Sequence, residues 1–235
     1  MKMRILAVDT SQPRGSVALL REDGRIESVR LERSASHLVE LSKTVSALLS
    51  PKRSPSLGVD RVAIVTGPGS FTGLRIGMAY VKGLYAVGGI DLVTMTSLEL
   101  LARQASSAGL PLASMIDARK DEVYAAFYTP GGLATSIAPR AVSPGEFLAA
   151  LPLSPAVFIG SGAVRYRSDV ERVFGRHARF PGENEHDPDT NLLCRLAEDL
   201  APLAPEEVVA LEPYYIRPSD VKLKPLRSVR AYDRS

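Results

Sequence analysis

Two acids stand where a phosphate-binding fold would place them. Asp9 ends the apolar run Ile5-Leu6-Ala7-Val8 and is followed by Thr10 and a sharp turn to Gly15. An acid at a strand end can hold a metal-bound phosphate, or it can simply cap the turn from Ser11 to Gly15. Asp117 takes the matching place after the apolar stretch 112–117, where Arg119 and Lys120 equally allow a salt-bridged hairpin turn. A glycine-rich stretch, Gly67-Pro68-Gly69-Ser70-Phe71-Thr72-Gly73, precedes a helical pattern. Backbone N–H groups at a helix start can hold an anion. The stretch fits neither a P-loop, which needs a lysine, nor the dinucleotide fingerprint, which needs glycine at the position of Thr72. By motif logic its glycines let a helix pack closely.

Other chemistry finds little support. No Ser/His/Asp arrangement stands out, and Ser34 and Ser36 beside His37 are what a helix start requires. Cys194 is the one cysteine, so a disulfide within the chain and a cysteine-based zinc site are both excluded. It sits in the helical pattern 191–196, where a small buried hydrophobe is expected. His37, His177 and His186 are far apart, and their spacing suggests no metal cluster. The opening apolar stretch is too short for a secretion signal, and no run is long enough to span a bilayer. These features point to the cytoplasm. The net charge is +3, with Lys222, Lys224, Arg227, Arg230 and Arg234 gathered in the tail. Such a tail can touch RNA phosphates or be a solvated terminus.

The elements that must position these residues follow from periodicity. Stretches 3–9, 15–21 and 26–32 read as a three-stranded meander, with the Asp23-Gly24 turn signal between the second and third. A helix over 36–50 carries Leu38, Leu41, Val45 and Leu48 on one face. Strand 60–66 is a continuous apolar run, expected where both faces are covered. The helix 71–86 has two apolar stripes: Phe71, Leu74, Met78, Val81 and Tyr85, then Gly73, Gly77, Tyr80 and Leu84. A helix apolar nearly all round is covered on more than one side, and its own sheet can cover only one. Strand 91–95 and helix 96–107 follow. The pattern of meander, helix, strand and helix then recurs from residue 111, with a proline-bearing capping box at Ser143-Pro144-Gly145-Glu146 and a strand over 156–159.

Read in order, six segments resemble one family: Ile5 to Ser11, Ser36-His37, Gly67 to Gly77, Ile116 to Arg119, Glu122-Val123-Tyr124, and Pro213-Tyr214-Tyr215-Ile216-Arg217. The chain is similar, over nearly its whole length, to the TsaB (YeaZ) family of accessory subunits in tRNA threonylcarbamoyladenosine biosynthesis. The resemblance implies an α/β, actin-like (ribonuclease-H-like) fold of two related halves with mixed sheets flanked by helices. It divides the chain into 1–108, carrying partner-docking helices, and a shorter second half, 109–235, with the basic tail.

It also implies a non-catalytic partner of the TsaD transferase, which modifies N6 of the adenosine beside the anticodon. TsaE joins in the complex, tRNA is reached indirectly, and when the chain is alone both a homodimer and a monomer stay open. The catalytic relative carries a His-x-x-x-His metal motif, and Ser97 and Leu101 stand at those positions here. No metal, no catalytic residue and no cofactor are therefore expected, with ATP or ADP reserved for the complex. Asp9, Thr10, Gly160 and Gly162 remain as vestigial phosphate turns, although close packing accounts for Gly160 and Gly162 equally well. His37, Leu41, Phe71, Gly73, Gly77, Met78, Tyr80 and Leu84 form the expected partner interface. The rival reading is an autonomous small ATPase or kinase of the actin-like class.

Overall fold

The computed structural model describes residues 3–31, 37–49, 58–131 and 134–217. The basic tail from Lys222 to Arg234 lies outside them. The first half runs β1 (Ile5–Asp9), β2 (Ser16–Leu20), β3 (Ile26–Arg30), α1 (His37–Leu49), β4 (Arg61–Val65), α2 (Phe71–Val87) and β5 (Asp91–Met95). Its strands lie in the order β3-β2-β1-β4-β5. β1 is antiparallel to β2 and parallel to β4.

Strands β1 and β4 are buried at every residue, and the period of two explains how. Leu6 and Val8 face a core shared with α1 and α2, while Ile5 and Ala7 face the opposite core. Both faces are covered, so both sets of alternate residues are apolar.

Helix α3 (Ser97–Gln104) leads to the second half: β6 (Leu112–Arg119), β7 (Glu122–Tyr128), β8 (Thr135–Val142), α4 (Pro144–Ala149), β9 (Ala156–Ile159), α5 (Ser161–Arg165), α6 (Arg167–Phe174) and β10 (Ala178–Arg179). The order is β10-β9-β6-β7-β8. Counted from its own first strand, this is the order of the first sheet, with the same parallel and antiparallel pairings. The recurring sequence pattern is thus a structural duplication. The capping box at α4 forms as read: the Ser143 side chain accepts from the Glu146 N–H, and the Glu146 carboxylate accepts from the Ser143 N–H.

Helix α3 is packed on both sides. Leu100 joins the core of the first sheet, and Leu98, Leu101 and Ala102 join that of the second. The chain then returns. Helix α7 (Thr190–Leu196) lays Leu193 and Cys194 under the first sheet, and α8 (Pro205–Ala210) adds Val208 to the core beneath α1 and α2. The buried Arg61 pins this return by donating to the carbonyls of Ala197 and Leu200, and it pairs with Asp91 at 2.8 Å. Burial pushes the Cys194 thiol up to about 12, so it acts as a small apolar side chain. Among the described residues no helix is long and apolar enough to cross a membrane.

Two helix expectations need correction. Leu41, Val45 and Leu48 of α1 are buried as expected, but Leu38 is 51% exposed, because contact with the core begins one turn later, at Leu41. On α2 the inward face is Gly73, Leu74, Gly77, Met78 and Val81, drawn from both expected stripes. Tyr80, Leu84 and Tyr85 are half-buried rather than bare, packed at the edge of the core that α1 and Val208 share.

Candidate functional site

The turn after β1 shows what the glycines of the first motif do. Asp9, Thr10, Ser11 and Gln12 are all buried. The Asp9 carboxylate accepts the Ser11 N–H at 2.8 Å, and the Ser70 N–H donates to the Ser11 carbonyl at 2.7 Å. Helix α2 lies directly on this turn. A Cβ on Gly69 would stand 2.1 Å from the Ser11 carbonyl oxygen, one on Gly73 2.1 Å from that of Thr10, and one on Gly77 2.2 Å from Thr10 Oγ1. These are contacts only glycine permits. Helix α2 covers the turn at close range, and the Ser70 hydroxyl already accepts the Gly73 N–H. Burial raises the Asp9 carboxyl from its ordinary 3.8 to about 6, against the opposing hydrogen bonds from Ser11.

The turn after β6 is closed in a parallel way. Asp117 pairs with Arg165 at 3.0 Å and accepts the Arg119 N–H, and its own N–H donates to the Ser161 hydroxyl. A salt-bridged turn forms, but its cation is Arg165 of α5, where the sequence had offered Arg119 and Lys120 of the turn itself. Arg119, Lys120 and Asp121 all have positive φ, an arrangement side chains adopt rarely. A Cβ on Gly160 would meet the Met115 carbonyl oxygen at 2.3 Å, so this glycine too serves close packing. The Gly160 N–H, the group a phosphate turn would offer, donates to His186 Nδ1 at 3.1 Å. Burial lowers the His186 pKa, which keeps Nδ1 free to accept. His186 is 26 residues from Gly160, and no local pattern announced the contact.

The stretch 184–192 crosses from the second half to the first. Arg30 pairs with Asp187 at 3.8 Å, the Gln104 side chain donates to the Glu185 carbonyl, and the Thr190 hydroxyl meets that of Ser16. A polar cavity of about 470 Å³ lies beside it, lined among others by Ser28, Arg30 and Asn191. Ser97 and Leu101 are fully buried, and Leu101 packs in the second core. Among the described residues no group of three or more His, Cys, Asp or Glu could hold a metal ion.

The expected interface residues fall into two sets. Leu41, Gly73, Gly77 and Met78 face this chain's own interior. Phe71, Tyr80 and Leu84 keep partial exposure. His37 opens α1, and its side chain lies outside the described residues. The outward face of α2 is instead Thr72, Arg75, Ala79, Gly83, Ala86 and Val87, and Leu38 and Val39 of α1 are exposed as well. This face carries a glycine that no close packing requires: a Cβ on Gly83 would meet nothing within 4 Å among the described residues.

The terminal signature completes the site. The Tyr214 N–H donates to the Thr66 carbonyl at 2.8 Å, the Tyr215 ring lies 5.2 Å from that of Phe71, and Arg217 pairs with Glu122. Segments far apart in sequence thus meet at the start of α2.

A duplicated mixed sheet with this strand order, and paired strand-end turns, defines a protein of the actin-like class. Residues 31–164 match the family of TsaD, tRNA N6-adenosine threonylcarbamoyltransferase, and the chain belongs to that family. Its full-length similarity is to the tRNA threonylcarbamoyladenosine biosynthesis protein TsaB of Bacillus subtilis, at 28% identity over 96% of this chain and 99% of that protein. The Escherichia coli TsaB is 32% identical over 54% of this chain and 55% of that protein. The solved structure of YeaZ from Pseudomonas aeruginosa superimposes with a TM-score of 0.73 at 29% identity, over 91% of this chain and 100% of that one.

Proposed function

We propose that this chain takes part in threonylcarbamoyl modification of tRNA as a non-catalytic partner of a TsaD-type transferase. It binds the transferase directly, with TsaE joining the complex, and it reaches the adenosine beside the anticodon only through them. The names of its relatives support the pathway. The turns at Asp9 and Gly160 support the absence of chemistry: Asp9 is buried, Asp117 is engaged by Arg165, and the amide at Gly160 is already used. The chain works in the cytoplasm without a nucleotide of its own, and two copies can pair when no transferase is present.

Gly83 carries the docking part of this reading. A glycine inside a helix costs about 1 kcal/mol relative to alanine. Gly73 and Gly77 are explained by Thr10, but nothing among the described residues explains Gly83. A partner backbone approaching α2 closely accounts for it. Ala79, Ala86 and Val87 offer small and apolar contacts on the same face of α2.

The test is a pair of substitutions at one position. Gly83→Ala should stabilise the isolated chain by roughly 0.5–1 kcal/mol. Gly83→Phe should leave circular dichroism unchanged and weaken co-elution with the TsaD-type relative by at least ~10-fold. Wild-type assembly by a folded Gly83→Phe variant would mean that α2 docks nothing.

A further inference from the structure

Arg75 stands on the outward face of α2, one turn before Ala79, and is exposed. Long cationic side chains on a helix surface ordinarily sample many rotamers, but this one is held twice. Its guanidinium carbon lies 3.9 Å from the centre of the Phe71 ring, and its Nε donates to the Tyr215 hydroxyl at 3.1 Å. Tyr215 is itself fixed against Phe71 and by the neighbouring Tyr214 N–H bonded to Thr66. The terminal signature thus grips an arginine of the glycine-rich signature across 140 residues. Among the described residues no carboxylate pairs with Arg75, and its terminal nitrogens make no hydrogen bond. A guanidinium stacked on one side and tied at Nε presents a fork of donors at low entropic cost, the geometry that takes a carboxylate in bidentate fashion.

We propose that Arg75 is the charged anchor of the α2 docking face, positioned by Phe71 and Tyr215 to receive a carboxylate side chain of the protein partner. This rests on the docking reading given above. It adds a specificity element to an otherwise small and apolar surface. Aromatic and arginine anchors commonly carry most of an interface's affinity, and a single oriented charge rejects partners that lack the matching acid.

The test measures affinity for the TsaD-type relative of the same cell at low and moderate salt. Arg75→Met should weaken binding by about 10- to 100-fold and flatten its salt dependence. Arg75→Lys keeps the charge but loses the fork, and should weaken binding by roughly 10-fold. Tyr215→Phe removes only the hydroxyl that orients Arg75 and should cost about 3- to 10-fold. All three should fold, because Arg75 is exposed and the Tyr215 ring is retained. Full affinity in the lysine variant would overturn the bidentate geometry. Full affinity in the methionine variant, alongside loss of binding in Gly83→Phe, would overturn the anchor and leave the docking face standing. If Gly83→Phe also binds normally, the docking reading fails and this inference fails with it.

Discussion

Gly73→Ala is expected to destabilise the protein by at least ~3 kcal/mol, at the severe end of what overpacking does. The new Cβ would stand 2.1 Å from the Thr10 carbonyl oxygen. That oxygen belongs to the backbone of a buried turn, so it cannot swing aside as a side-chain tip could. Relief requires α2 to lift off the turn, which would uncover Leu74, Met78 and Val81 at the core. For a chain of this length the loss corresponds to a fall in melting temperature of roughly 6–12 °C. Gly83→Ala, on the opposite face of the same helix, should raise it slightly. If both variants melt within a degree or two of wild type, α2 does not rest on the Asp9–Gln12 turn.

Asp9→Asn should do the reverse and stabilise the protein at neutral pH. The folded state raises the Asp9 carboxyl from 3.8 to about 6, so the native chain holds this proton more tightly than the unfolded one. The resulting contribution is whole below pH 4 and is lost as pH rises through about 6. Above that, the ionised carboxylate costs on the order of 3 kcal/mol. Asparagine keeps the oxygen that accepts the Ser11 N–H and removes the charge. Urea unfolding should therefore show the variant ahead by about 2–3 kcal/mol near pH 7.5, with the gap closing toward pH 4. Taking the difference between the two proteins cancels His186. Its lowered pKa gives the opposite trend, a stability lost as pH falls below its ordinary 6.5. A gap that does not vary with pH would show that Asp9 is not a strained acid.

The duplication was legible because each half repeats the same order of local patterns, and a local pattern carries its own period and caps. Helix α2 begins at Phe71 after its Ser70 cap, and α4 begins at its proline-bearing box. Apolar spacing reveals which residues avoid water. It does not reveal which neighbour excludes the water. Which stripe of α2 stays bare could not be read, because the segment that reaches Val208 returns to Tyr80 and Leu84 from more than a hundred residues away. Leu38 looked buried because it shares a helical face with Leu41, yet the helix outruns the core at that end.

The candidate site divides along the same line. The glycine-rich signature could be read as close packing, and Thr10 and Ser11 are what it packs against. The contacts of His186 with Gly160, and of Tyr215 with Arg75, join side chains to distant partners. No spacing rule reaches that far.

That the chain acts by docking, with no chemistry of its own, is tested most directly by threonylcarbamoyladenosine formed on tRNA. The reaction would contain the TsaD-type relative, TsaE and the threonylcarbamoyl donor, with this chain added as wild type, Asp9→Asn or Gly83→Phe. Product should require the chain, should persist with Asp9→Asn, and should be lost with Gly83→Phe. Loss of product with an Asp9→Asn variant that still binds the transferase would contradict the account, because the strand-end acid would then be doing chemistry.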